Sequence, residues 1–185
     1  LKLANTGDSW GAPAKLFHWV MAALILAQIA LGLTAANWHL SPTKLTLFFW
    51  HKSTGMLILA LVVLRLAWRL ANPTPALPAD MPAWERLAAR ASHALLYLAM
   101  IAMPLTGWIV NSAANVPLRI FYLVPLPAIV APDKATEDLA AHAHLWLFVA
   151  LGALLAAHAG AALRHHFVKR NDVLARMLPA AGKQR

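Results

Sequence analysis

The sequence predicts an all-α, membrane-integral bundle of four helices, on three observations. Four apolar stretches are each long enough to cross a bilayer's hydrocarbon core, which takes about 20 residues of helix. Hydrophobic residues make up 61% of the chain and charged ones only 12%, about half the share usual in soluble domains. Threaded through a membrane, the stretches leave most Lys and Arg on one side. At 185 residues the chain is expected to be one domain, 1–185, with membrane lipid as its solvent.

The first span is expected at about 14–36. Pro13 suits the first turn of a helix, where its missing N–H costs nothing, and only Gln28 and Thr34 are polar between Trp19 and Ala36. The run is too long for a cleavable leader, and further spans follow it. The second span, about 45–71, carries His51 and Lys52 near its start and Arg65 and Arg69 near its end. The proline-dense linker ANPTPALPADMPAW cannot be helical, and Trp84 marks re-entry. A third span is expected at about 85–111, with His93 near its start and a kink at Pro104. Residues 112–137 hold four prolines and are too broken to span, so they should lie as an outer interfacial lid over one end of the bundle. The fourth span, about 138–168, has no charge from Leu139 to Leu163 apart from histidines. A basic tail follows.

Of sixteen Lys and Arg, the side holding both termini and the proline-rich linker takes twelve, including Lys2, Lys183 and Arg185. The other side takes Lys44, Lys52, Arg119 and Lys134. The positive-inside bias therefore puts both termini in the cytoplasm. Tryptophans at the inner edge (Trp19, Trp68, Trp84) and the outer edge (Trp38, Trp50, Trp108, Trp146) agree. The net charge of +9 flanks these spans, which reads as lipid contact and argues against nucleic-acid binding. The absence of cysteine excludes disulfides, thiolate-held iron–sulfur clusters and C-x-x-C-H haem attachment.

Ionisable side chains inside a membrane are costly and are held for function. His144 and His158 are 14 residues apart, almost four full turns, so both face one way about 21 Å apart. Depth pairs His18 with His158 toward the inner side and His51 with His144 toward the outer. Two imidazoles from different helices at one level are what a six-coordinate haem iron requires, so the expectation is two b-type haems stacked across the bilayer. The same 14-residue interval reaches Gly32 from His18 and Gly107 from His93, where a missing side chain admits a flat macrocycle. From His51 it reaches Arg65, which either pairs with haem propionates or snorkels to headgroups. His142, about 160° off the ligand stripe, is a rim residue. His93 lies at the inner depth without an obvious partner, where it either bonds a propionate, lines a proton path or simply packs. His165 either bonds a quinone carbonyl and relays protons or is solvated. A histidine-lined metal transporter would need carboxylates along its path, and the spans have almost none.

KLFHW, His51-x3-Gly55, ANPTPALP, HALLYLAMIAMPLTGW and HAGAALRHHFVKRNDVLARMLP together resemble the prokaryotic cytochrome b561 family, four-helix di-haem membrane proteins. The resemblance covers nearly the whole chain and puts the family's four haem ligands on His18, His51, His144 and His158. It implies a quinone-linked electron carrier of the bacterial inner membrane, with ubiquinone or a similar quinone reduced near His158 and His165. Some members oxidise periplasmic superoxide; for such a substrate Lys52, with Arg119 or Lys134, would steer the anion, opposed by Asp133, Glu137 and Asp138. AHAHLW lacks the Trp-His pair of the superoxide-oxidising members. The alternative is a non-enzymatic relay serving a separate oxidoreductase or a periplasmic redox protein.

Overall fold

Four helices build the bundle in the computed structural model, which describes residues 3–78 and 81–179. They are α1 (Ala12–Asn37), α2 (Pro42–Ala71), α3 (Ala83–Ala113) and α4 (Lys134–Phe167), each long and apolar enough to cross a membrane. Lys2, Lys183 and Arg185 of the charge count, and Ala79 and Asp80 of the proline-rich linker, lie outside the described residues.

Local chemistry sets where the helices start. Pro13 occupies the first turn of α1. Ser41 caps α2, its side chain accepting from the Lys44 N–H at 3.4 Å, and Pro42 follows directly. Asp133 caps α4, accepting from the backbone N–H of Thr136 at 2.7 Å and from its hydroxyl at 2.6 Å. Helices α2 and α4 therefore begin a few residues before the apolar runs that mark their spans, because a cap and not hydropathy chooses the first turn. Helix α3 is continuous through Pro104, the position expected to kink.

The closest helix packings are α3 on α4, α1 on α2 and α2 on α3. At mid-depth all four helices contribute to one core, with Met21 and Ile25, Ile58 and Val62, Leu96 and Met100, and Leu151. Large apolar side chains on the opposite faces, such as Leu26, Val63, Leu98 and Val149, are exposed. A surface of that kind suits lipid and not water.

Residues 114–133 differ from the irregular lid expected. Strands β1 (Leu118–Ile120) and β2 (Val124–Leu126) pair antiparallel, closed by a turn in which the Leu123 N–H donates to the Ile120 carbonyl at 2.9 Å. Phe121 and Tyr122, the central residues, take φ of 48° and 62°, a conformation usually given to Asn or Gly. Contacts to α2 hold them there. Tyr122 stacks on Phe49 at 3.7 Å between ring centres, Phe121 lies 5.8 Å from Trp50, and the Phe121 N–H donates to Ser53 Oγ at 3.0 Å. This end of the bundle is called the hairpin end below.

At the other, terminal end the leader, linker and tail lock together. Asn5 Nδ2 donates to the Pro73 carbonyl at 3.0 Å and Arg176 Nη1 to Ala76 at 2.9 Å. Lys15 Nζ and Trp19 Nε1 donate to the carbonyls of Leu178 and Met177, each at 2.9 Å. The tail, read from sequence only as basic, folds back through a 3-10 turn at Ala175–Met177.

Two outcomes follow. Ser53→Ala removes a buried hydrogen bond worth about 1 kcal/mol; amide exchange at Phe121 should quicken about fivefold, and unchanged exchange would show that aromatic stacking alone holds the turn. The Thr136 hydroxyl and N–H hold the Asp133 carboxyl below its ordinary value of 3.8. A depressed carboxylate stabilises above its unfolded value and loses that contribution as pH falls through the folded one. Exchange protection at the start of α4 should therefore survive acidification to pH 3.8 and fail only below it.

Candidate functional site

Half-buried imidazoles meet at two levels. His18 on α1 and His158 on α4 face each other toward the terminal end, ring centres 6.2 Å apart with planes at 64°. His51 on α2 and His144 on α4 do so toward the hairpin end, 6.3 Å apart at 73°. A metal ion held between two imidazole nitrogens at about 2 Å each, with ring centres roughly 1 Å further out, needs the centres about 6 Å apart. Both pairs meet that requirement.

At the hairpin end the pair borders a mainly apolar cavity of about 390 Å³, lined also by Gly32, Lys52, Gly107 and Trp108. The two glycines act somewhat differently from the sequence expectation: each makes room for an imidazole. A Cβ on Gly32 would sit 2.8 Å from His51 Cε1, and one on Gly107 3.4 Å from His144 Cε1. Thr106, which sequence reasoning missed, orients His144. Its hydroxyl donates to the Met103 carbonyl at 2.8 Å, so toward His144 Nδ1, 3.0 Å away, its oxygen can only accept. The proton is thereby fixed on Nδ1 and the Nε2 lone pair is left free. Gln28 Nε2 ties α1 to α2 by donating to the His51 carbonyl at 2.7 Å. Half-buried Lys52 donates to Asn111 Oδ1, and Asn111 Nδ2 donates to the Val116 carbonyl, linking the cavity to the segment leading into β1.

At the terminal end a cavity of about 210 Å³ is lined by His18, His158, Arg65, Arg69, His93 and Tyr97, among others. Ile25 and Met100 border both cavities and separate them. Arg65 Nη2 lies 3.2 Å from His18 Nδ1. His93, read from sequence as lacking a partner, has its ring centre 5.4 Å from that of His158. A helical count along α3 alone could not reveal this, because the contact depends on how α3 packs against α4. His165 is neither solvated nor in this cavity. It is 7% exposed, with Nδ1 2.8 Å from Asn171 Nδ2 and Nε2 3.7 Å from Glu85 Oε2. Glu85 also takes Arg164 at 3.1 Å and Lys169 at 2.6 Å, closing the ends of α3 and α4 together. His142 is exposed, as a rim residue should be.

Paired imidazoles beside apolar cavities, in a chain without cysteine, are chemically suited to haem b. A family model for prokaryotic cytochrome b561 matches residues 9–180. The chain belongs to this family. It is thus a membrane electron-transfer protein of the cytochrome b561 type, and the family implies haem b. It is 34% identical over 185 residues to cytochrome b561 homolog 2 of Escherichia coli (strain K12), covering 96% of this chain and 95% of the relative. With cytochrome b561 homolog 1 of the same organism the identity is 30%, over 88% of this chain and 92% of the relative. A protein named as a probable superoxide oxidase, from Yersinia pestis, is 33% identical over 88% of this chain and 91% of its own.

The glycine contacts give a paired test. Gly32→Ala forces its methyl into the His51 ring, whereas Gly152→Ala meets nothing within 4 Å. Haem content of the purified protein should fall in the first variant and stay at the wild-type level in the second, as read by pyridine haemochrome.

Proposed function

We propose that this protein is a di-haem b-type cytochrome of the bacterial inner membrane, with both termini cytoplasmic, that carries electrons from a periplasmic donor to ubiquinone. The observation that carries this reading is the meeting of His18 with His158 and of His51 with His144 at iron-spanning separations on two levels. These four would hold the two haem irons, with Gly32 and Gly107 giving the outer imidazoles room and Arg65 serving the inner group. Haem b, when bound, supplies reversible one-electron transfer. The chain supplies placement: Thr106 fixes the tautomer of His144, and the apolar cavity walls keep water from the ligands.

The proposed donor is superoxide: two superoxide anions and one ubiquinone, with two protons, give two dioxygen molecules and ubiquinol. The similarity to a protein named as a probable superoxide oxidase supports it. So does Lys52, a cation at the hairpin-end cavity suited to drawing in a small anion. Lys134 is not available for this, being bound to Asp138 at 2.7 Å and Glu137 at 3.4 Å. His165 is the proposed proton relay to the quinone on the terminal side, one ring nitrogen toward Asn171 and the other toward Glu85.

The relay reading, in which a separate redox protein is the donor, is favoured by the exposed hairpin tip of Tyr122, Leu123 and Val124. Stopped-flow mixing separates the two. Superoxide should reduce the oxidised cytochrome faster than it dismutates, and Lys52→Gln should slow that step while leaving the spectrum intact; no reduction above the dismutation rate selects the relay. Pyridine haemochrome should give two haems b per chain, falling to one in His51→Ala or His18→Ala. One haem in the wild type would end the di-haem reading.

A further inference from the structure

Two guanidinium groups face the terminal-end cavity with no carboxylate to answer them. Arg65 and Arg69 lie one turn apart on α2, their Cζ atoms 5.6 and 5.8 Å from the centre of the Tyr97 ring, with Arg69 also 6.0 Å from that of Trp10. Three other basic residues at this end have acidic partners: Arg164 and Lys169 bind Glu85, and Arg176, which also lines the cavity, binds Asp172. Among the described residues neither Arg65 nor Arg69 has an ion pair, and no Asp or Glu lines the cavity. Between them in sequence, Trp68 also lines the cavity, and its Nε1 is buried with no hydrogen-bond partner.

Two like charges over one aromatic ring, both half-buried, repel each other, and the ring's quadrupole offsets only part of that. The third donor has nothing to bond. Together these groups lack an anion with several acceptor oxygens.

The contact between Arg65 and His18 narrows the choice. A guanidinium only donates, so at 3.2 Å His18 Nδ1 must accept and the ring's proton sits on Nε2. An imidazole that ligates a metal through Nε2 carries its proton on Nδ1 and cannot accept there. Once His18 is a ligand, Arg65 needs another acceptor next to the same group. A neutral quinone carbonyl would accept a bond but would not balance two charges.

We infer that Arg65, Trp68 and Arg69 form a carboxylate-binding site at the rim of the terminal-end cavity, taking the two propionates of the haem proposed between His18 and His158. The inference rests on the di-haem reading and adds an orientation to it, with the carboxylates of the inner group turned toward the α2 face bearing both arginines. The hairpin-end cavity offers no such pair of cations, since Lys52, hydrogen-bonded to the neutral Asn111 Oδ1, is the one Lys or Arg among its described lining residues.

The test uses the full chain, produced without haem in detergent and titrated with haemin and with haemin dimethyl ester, in which both carboxylates are masked. Two equivalents of haemin should bind, and the ester should bind one site at least tenfold more weakly. In Arg65→Gln/Arg69→Gln the haemin affinity of that site should drop to the ester's, abolishing the preference, while Arg65→Lys/Arg69→Lys should restore part of it. Equal binding of haemin and ester by the wild-type chain overturns the inference. So does a phospholipid retained by the wild type and lost from the Gln pair in native mass spectrometry without any ester preference, which would make the anion a headgroup phosphate. A Gln pair that keeps the full preference while binding ubiquinone more weakly overturns it as well. Uptake of a single equivalent of haemin by the wild type would instead be a failure of the di-haem reading, and the two failures are told apart by the stoichiometry.

Discussion

The whole arrangement depends on the cost of placing imidazoles in an apolar, lipid-facing bundle. A helix as hydrophobic as α4 tolerates His144 and His158 only if their polar atoms are satisfied inside. Each is turned inward toward a second imidazole, His51 or His18, on a helix that approaches from the far side. The most extensive packings leave α1 and α4 apart, α1 on α2 and α3 on α4. Cavities open between them at two depths, with an apolar plug between.

Support around the imidazoles is unequal at the two levels. Near the hairpin end it is steric and neutral: glycines clear space, a threonine hydroxyl sets a tautomer, and a glutamine clamps one backbone to another. Near the terminal end it is cationic and aromatic, with two arginines sharing a tyrosine and His93 beside His158. The same protein thus sets two similar imidazole pairs in different electrostatic surroundings.

Both ends of the bundle are closed by segments whose sequences do not advertise it. The hairpin turn has Phe121 and Tyr122 where turn rules call for Asn or Gly, so no local signal announces it; stacking of Tyr122 on Phe49 and the tilted contact of Phe121 with Trp50 offset the backbone cost from outside the segment. The tail reads as a solvated basic run, yet Leu178 and Met177 offer carbonyls to Lys15 and Trp19. Such bonds join residues more than 150 positions apart, beyond the reach of any periodicity.

Hydropathy and helical period by themselves determined the four helices, their order, and which histidines share a face, because apolar length and a 100° step are properties of one helix at a time. They also sufficed to pair His18 with His158 and His51 with His144 by depth, since a bilayer gives separate helices a common ruler. Only the tertiary structure decided what stands beside those rings: His93 against His158, Thr106 against His144, Arg65 against His18, and His165 drawn away into the Glu85 cluster. Those contacts depend on the rotation of each helix about its axis and on the distance between helices, which are fixed by side chains packing across the bundle and not by the order of residues along any one rod.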